Sequence, residues 1–129
     1  MNYRRLLSLW GPVLAYMVTI FIFSSLHEAP LPPGLSDKPA HGAGYMGFGF
    51  VIARALAGGL PPRITLRQAL FGLALAACYG VTDEFHQSFV AGRSSDVADW
   101  YSDVTGSAIA LLACWAWDIL STRRHRHDF

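Results

Sequence analysis

Apolar residues fall in four long blocks separated by short polar segments. From Leu6 to Leu26 no residue is charged and none is His. Gln68 to Thr82 and Val104 to Trp117 are equally free of charge, and between His41 and Leu60 only Arg54 is charged. A helix needs about 20 mostly apolar residues to cross the hydrocarbon core of a bilayer. The first block reaches that length alone. The third reaches it if its helix continues through Asp83, Glu84 and His86 to Phe89, and the fourth if its helix runs from about Asp99 to Leu120. The second is rich in Gly, which lets membrane helices approach closely, and its Arg54 can extend toward the nearer interface. Four helices that are apolar all round leave too few polar residues to wrap them as a soluble core. The pattern predicts an all-α membrane protein. Four transmembrane helices over about residues 6–26, 40–58, 66–89 and 99–120 form one compact bundle, a single domain over 1–129. The first block is longer than the apolar region of a signal peptide and no A-x-A site follows it, so it reads as an uncleaved first helix.

Turn and cap chemistry punctuates the blocks. Pro30, Pro32, Pro33 and Gly34 make an irregular first loop. Ser36-Asp37 stands where an N-cap belongs, Gly58-Gly59 ends the second helix, and Thr65 is placed to cap the third. Ala91-Gly92 marks the end of the third helix, and Ser94 or Ser95 is placed to cap the fourth near Asp96.

Composition agrees: 53% of residues are hydrophobic and 15% are charged, against about 25% charged in soluble domains. A net charge of +1 excludes a nucleic-acid binder carried by bulk positive charge. Cys78 and Cys114 both lie in apolar runs and read as small packing residues, not as a disulfide. The distribution of charge sets an orientation. Arg4, Arg5, Arg54, Arg63, Arg67, Arg123, Arg124 and Arg126 fall on one side, and only Lys38 and Arg93 on the other. The positive-inside rule then places both termini in the cytoplasm. Glu28, Asp37, Asp83, Glu84, Asp96, Asp99 and Asp103 come to the outer side.

Three outer segments carry polar stripes at helical spacing. Asp37, His41 and Tyr45 recur at i, i+4, i+8; Tyr79, Asp83 and His86 or Gln87 share a face; Asp96, Asp99 and Asp103 form a third stripe. Each stripe enters the end of an apolar helix, where ionisable groups are costly and mark functional candidates. Asp83, Glu84, His86 and His41 are the candidate catalytic groups, because a His beside a carboxylate can move protons near neutral pH. Asp37, Lys38, Tyr45, Gln87, Arg93, Asp96 and Asp99 are the candidate ligand-binding groups, with Lys38 and Arg93 able to hold a phosphate. Asp83, His86, Asp96 and Asp99 also offer oxygen and nitrogen donors that suit a divalent metal. The competing structural assignment is a lock, in which Lys38 and Arg93 pair with Asp83, Asp96 or Asp99 to tie helix ends together.

The order of these segments resembles the VanZ-like family of small bacterial membrane proteins. Ser36-Asp37-Lys38 with His41 and Tyr45 carries the resemblance, followed by Asp83-Glu84-Phe85-His86-Gln87 and Phe89-Val90-Ala91-Gly92-Arg93, then Asp96, Asp99 and the region of Gly106. The resemblance implies a multi-pass protein of the bacterial cytoplasmic membrane, in a family whose namesake is associated with resistance to the glycopeptide teicoplanin. Membership alone does not assign a reaction. The leading expectation is an outward-facing polar site that binds or acts on a cell-envelope lipid or lipid-linked cell-wall precursor. The alternatives are a membrane-embedded hydrolase or transferase using a carboxylate–His site, with or without a metal, and a structural or interaction subunit.

Overall fold

The computed structural model describes residues 1–27 and 31–127. Four helices follow one another: α1 (Tyr3–Ser24), α2 (Asp37–Ala57), α3 (Leu66–Gln87) and α4 (Val97–His127), with no strand among the described residues. All four stand where the apolar blocks predict them. The ends differ by a few residues, and α4 runs well past Leu120 into its basic tail.

Local chemistry sets those ends. Asn2 caps α1, its side chain accepting the Arg5 N–H at 2.9 Å. Thr65 caps α3 with a full capping box: Thr65 Oγ1 accepts the Gln68 N–H at 3.2 Å, and Gln68 Oε1 accepts the Thr65 N–H at 2.9 Å. Gly58 closes α2 in the left-handed conformation at φ 77°. Ser36 is the N-cap of α2 by position, but its side chain makes no capping bond. The expected cap of α4 at Ser94 or Ser95 is corrected. Asp96 Oδ1 accepts the Ala98 N–H at 2.9 Å, so Asp96 is the cap. Ser95 turns its hydroxyl toward Glu84 instead.

Among the described residues α1 and α4 (over Val97–Arg124) are long and apolar enough to cross a membrane. In α2 the glycines, His41 and Arg54 dilute the apolar character, and in α3 the polar turn from Asp83 to Gln87 does so. Burial is nevertheless inverted relative to a soluble domain. Leu14, Val18, Phe21, Leu70, Phe71, Val81, Ile109 and Leu112 face outward, whereas Asp83, Glu84, Gln87, Asp99, Asp103 and Ser107 are buried. An apolar exterior over buried carboxylates suits lipid as the surrounding solvent.

The closest helix pair is α2 with α4, and small residues allow it. A Cβ on Gly106 would collide with the Gly42 carbonyl oxygen and lie 2.9 Å from its carbon. One on Gly49 would lie 2.8 Å from the Ser107 carbonyl oxygen and 3.2 Å from Ala110 Cβ. Backbone-to-backbone approach of this kind is how helices associate where water exclusion supplies no force. Polar side chains add crosslinks to helix carbonyls. Ser107 Oγ donates to Tyr45 O (3.1 Å), Trp100 Nε1 to Ala77 O (3.0 Å), and Tyr16 OH to Gly44 O (2.7 Å). At the opposite end Arg54 donates to Ser8 O at 3.0 Å. The apolar core lies between, around Phe48, Ile52, Ala76 and Leu111. Helix α1 packs more lightly and buries only Leu9, Val13 and Ser24.

Candidate functional site

Antiparallel order brings the last turns of α1 and α3 beside the first turns of α2 and α4, and the polar side chains converge there. Periodicity places the residues. Asp99 and Asp103, four apart on α4, and His41 and Tyr45, four apart on α2, face inward together. His41 Nδ1 lies 2.8 Å from Oδ1 of Asp103, and its Nε2 lies 3.7 Å from Asp37 Oδ2. Asp83 Oδ2 accepts the Tyr45 hydroxyl at 3.2 Å, while its Oδ1 takes a short bond from the Ser24 hydroxyl. Gln87 Nε2 donates to Ser24 Oγ at 2.7 Å. Glu84 Oε2 accepts the Asp96 N–H at 3.1 Å. Donor atoms of His41, Asp83, Glu84 and Asp103 all lie within 4.8 Å of one another, and a second group joins Asp37, His41 and Asp99.

Three buried carboxylate oxygens have no hydrogen-bond partner: Glu84 Oε1, Asp99 Oδ1 and Asp103 Oδ2. Asp99 Oδ1 has the Lys38 ammonium 3.8 Å away, which is attraction without a hydrogen bond. Lys38 also reaches Asp96 Oδ2 at 3.4 Å. The Ala98 N–H holds the Asp96 carboxyl below the usual carboxylate range; desolvation opposes it, and Lys38 adds to the lowering.

The expected stripes are thus partly assembled and partly redistributed. Asp37, His41, Tyr45, Asp83, Glu84, Gln87 and Asp99 meet at this end of the bundle. His86 does not join them. Its ring stacks on Phe21 with centroids 4.4 Å apart, and its Nε2 lies 2.8 Å from Ser25 Oγ. Residue 87, not 86, joins Asp83 on the inward face, where α1 presents Ser24 to Gln87 and Phe21 to His86. The metal set of Asp83, His86, Asp96 and Asp99 is not brought together, since Asp96 is taken up by the α4 cap and Lys38. Lys38 makes the expected lock between α2 and α4. Arg93 makes no ion pair among the described residues and instead lines a cleft. Two participants escaped sequence reasoning. Ser24 looked like one more residue of an apolar run, and Asp103 stood in a stripe with nothing to mark it as the partner of His41.

The cleft has a volume of about 290 Å³ and lies chiefly between α1 and α2. Its lining combines polar side chains, Ser24, Asp37, His41, Asp83, Gln87 and Arg93, with Tyr16 and the apolar Ile20, Phe23 and Leu31. A family model described as VanZ/LLP1 matches residues 9–120, nearly the whole chain. The chain belongs to the VanZ/LLP1 family. VanZ membership suggests a membrane protein linked to glycopeptide resistance, in keeping with the outward-facing apolar surface. No curated protein and no solved structure matches the chain. Every residue of the buried polar cluster in this VanZ/LLP1 protein, from Ser24 to Asp103, falls inside the matched stretch.

Proposed function

We propose that this VanZ/LLP1 protein spans the bacterial cytoplasmic membrane with all four helices, keeps both termini in the cytoplasm, and holds the head group of a cell-envelope lipid or lipid-linked cell-wall precursor in its outward-facing cleft. The amphipathic lining of the cleft carries this proposal. A lipid needs a polar pocket continuous with an apolar wall at membrane depth. Arg93, Gln87 and His41 share the lining of the cleft with Ile20, Phe23 and Tyr16. A guanidinium is the natural partner of a phosphate or pyrophosphate. Lys38 is engaged by Asp96 and Asp99, so Arg93 is the cation that faces the cleft. Occupation of an outward-facing precursor would alter its access to glycopeptides such as teicoplanin.

A second reading, catalysis, draws on one observation. His41 is paired with the fully buried Asp103 and stands beside Asp83, a carboxylate–His arrangement suited to proton transfer in a hydrolase or transferase.

The test is mass spectrometry of lipids co-purified with the wild type, Arg93→Ala and Asp83→Asn. A defined envelope lipid on the wild type that Arg93→Ala loses supports head-group binding. Accumulation of an unmodified form of that lipid on Asp83→Asn supports catalysis. The same bulk lipids on all three chains would refute both and leave the cluster a structural lock.

A further inference from the structure

Three carboxylates and one imidazole share the space between α2, α3 and α4: Asp83, Glu84, Asp103 and His41, each offering a donor atom within 4.8 Å of the others. Glu84 is 6% exposed and Asp103 0%. Each has one oxygen without a hydrogen-bond partner. Asp103 Oδ2 is turned toward α3, where a Cβ placed on Gly80 would lie 3.5 Å from it. Gly80 precedes Asp83 and Glu84 by one turn, so Asp103 faces the stretch of α3 that presents the other two carboxylates.

Buried carboxylates this close repel each other, and an oxygen buried without a partner forfeits its hydration. A cation at the centre removes both costs. We propose that His41, Asp83, Glu84 and Asp103 form a binding site for a divalent transition-metal cation of the Mn²⁺ or Zn²⁺ class. One imidazole nitrogen with carboxylate oxygens favours such ions over Ca²⁺, which takes six to eight oxygens, and over Mg²⁺, which keeps its waters. Donors around a tetrahedral ion at about 2.1 Å stand about 3.4 Å apart, and the donor atoms here already lie within 4.8 Å of one another. The Ser24 and Tyr45 hydroxyls on Asp83 are the outer hydrogen bonds that orient a ligating carboxylate. His41 and Asp83 also line the cleft. A cation there turns acidic lining into lining that accepts an anionic head group.

The assignment stands on this geometry and does not need the lipid proposal. The full chain is purified in detergent, stripped with a chelator and titrated with Mn²⁺, with free ion followed by electron paramagnetic resonance and Tm recorded in parallel. One Mn²⁺ per chain is expected, displaced by Zn²⁺ and accompanied by a rise in Tm. Glu84→Gln, which keeps the shape of the side chain, should weaken binding at least tenfold, as should His41→Ala. Asp118→Asn, near the other end of α4, should bind as the wild type does. An unchanged wild-type Tm with no stoichiometric Mn²⁺ would overturn the site without any variant having to fold, and full affinity in a folded Glu84→Gln would overturn it as well. A metal-free, protonated cluster makes the opposite forecast: Glu84→Gln raises Tm and Mn²⁺ does nothing. Binding of Mn²⁺ by a chain that retains only bulk lipid would support the cation site and refute the head-group proposal; a defined lipid without Mn²⁺ would do the reverse.

Discussion

Replacing Gly106 by alanine adds one methyl group at the tightest point of the bundle. That methyl would lie 2.9 Å from the Gly42 carbonyl carbon and 3.1 Å from Gly42 Cα, and closer still to the carbonyl oxygen. Ordinary contact begins at 3.4 Å, and the obstructing atoms are backbone, which cannot swing aside. The carbonyl oxygen is the limiting contact, so helices α2 and α4 must part by about 1 Å or more, at a cost of roughly 1–3 kcal/mol for overpacking. The separation falls where it matters most. His41 directly precedes Gly42, and Asp103 precedes Gly106 by one turn, so their 2.8 Å contact is stretched beyond hydrogen-bonding distance. Leaving that buried pair unmade adds about 1–3 kcal/mol. Gly44→Ala is the matched control, because nothing lies within 4 Å of its Cβ. Thermal and denaturant unfolding of the two variants in the same detergent provide the comparison. Gly106→Ala should lose stability and Gly44→Ala should not. If both unfold within about 0.5 kcal/mol of the wild type, the close α2–α4 seam is refuted.

Ser24→Ala strands Asp83 Oδ1 and Gln87 Nε2 together, at about 1–3 kcal/mol, and should speed hydrogen exchange in the last turns of α1; unchanged exchange there would mean that Ser24 does not dock α1. Because the Asp96 carboxyl is held low by the Ala98 N–H and Lys38, its contribution to the start of α4 is present above the ordinary carboxylate pKa and is lost as pH falls through the depressed folded value. Exchange at the Ala98 amide should accelerate at that acidic end, and Asp96→Ala should remove the dependence. For topology, cysteines placed at exposed Ser95 and Thr65 in a chain lacking Cys78 and Cys114 should react differently with an impermeant periplasmic reagent. Residue 95 should label and residue 65 should not, and the reverse would put the cleft in the cytoplasm.

The positions of the helices were legible because charge-free blocks of helix length are a one-dimensional signal. So was the Thr65 cap, where Thr and Gln at the right spacing satisfy one another within a single turn. The pairing of His41 with Asp103 was not legible, since it depends on how deeply α2 and α4 interpenetrate, and that depth is set by glycines 42, 49 and 106 acting across helices. His86 and Gln87 both fitted a face with Asp83. The choice between them required knowing that α1 would present Ser24 to one and Phe21 to the other. Ser95 stands one residue before the cap position, which Asp96 holds by accepting the Ala98 N–H, and its hydroxyl lies 3.5 Å from Glu84 Oε2, eleven residues earlier.

The bundle is mechanically uneven. Where α2 meets α4, backbone stands against backbone, and the joint is a stiff spring that yields little to lateral pressure. Helix α1 is held by a lighter contact and a handful of hydrogen bonds, among them Tyr16 to Gly44 and Ser24 to Asp83, and makes a soft one. The cleft is lined by α1 and α2, with Asp83 and Gln87 of α3 and Arg93 beside them. If the chain spans a bilayer as proposed, changes in thickness or tension are taken up by the softer α1 joint, and they alter the width of the cleft more than the spacing of His41 and Asp103. The rate at which the proposed lipid enters and leaves should then vary with membrane thickness more than the chemistry that it meets.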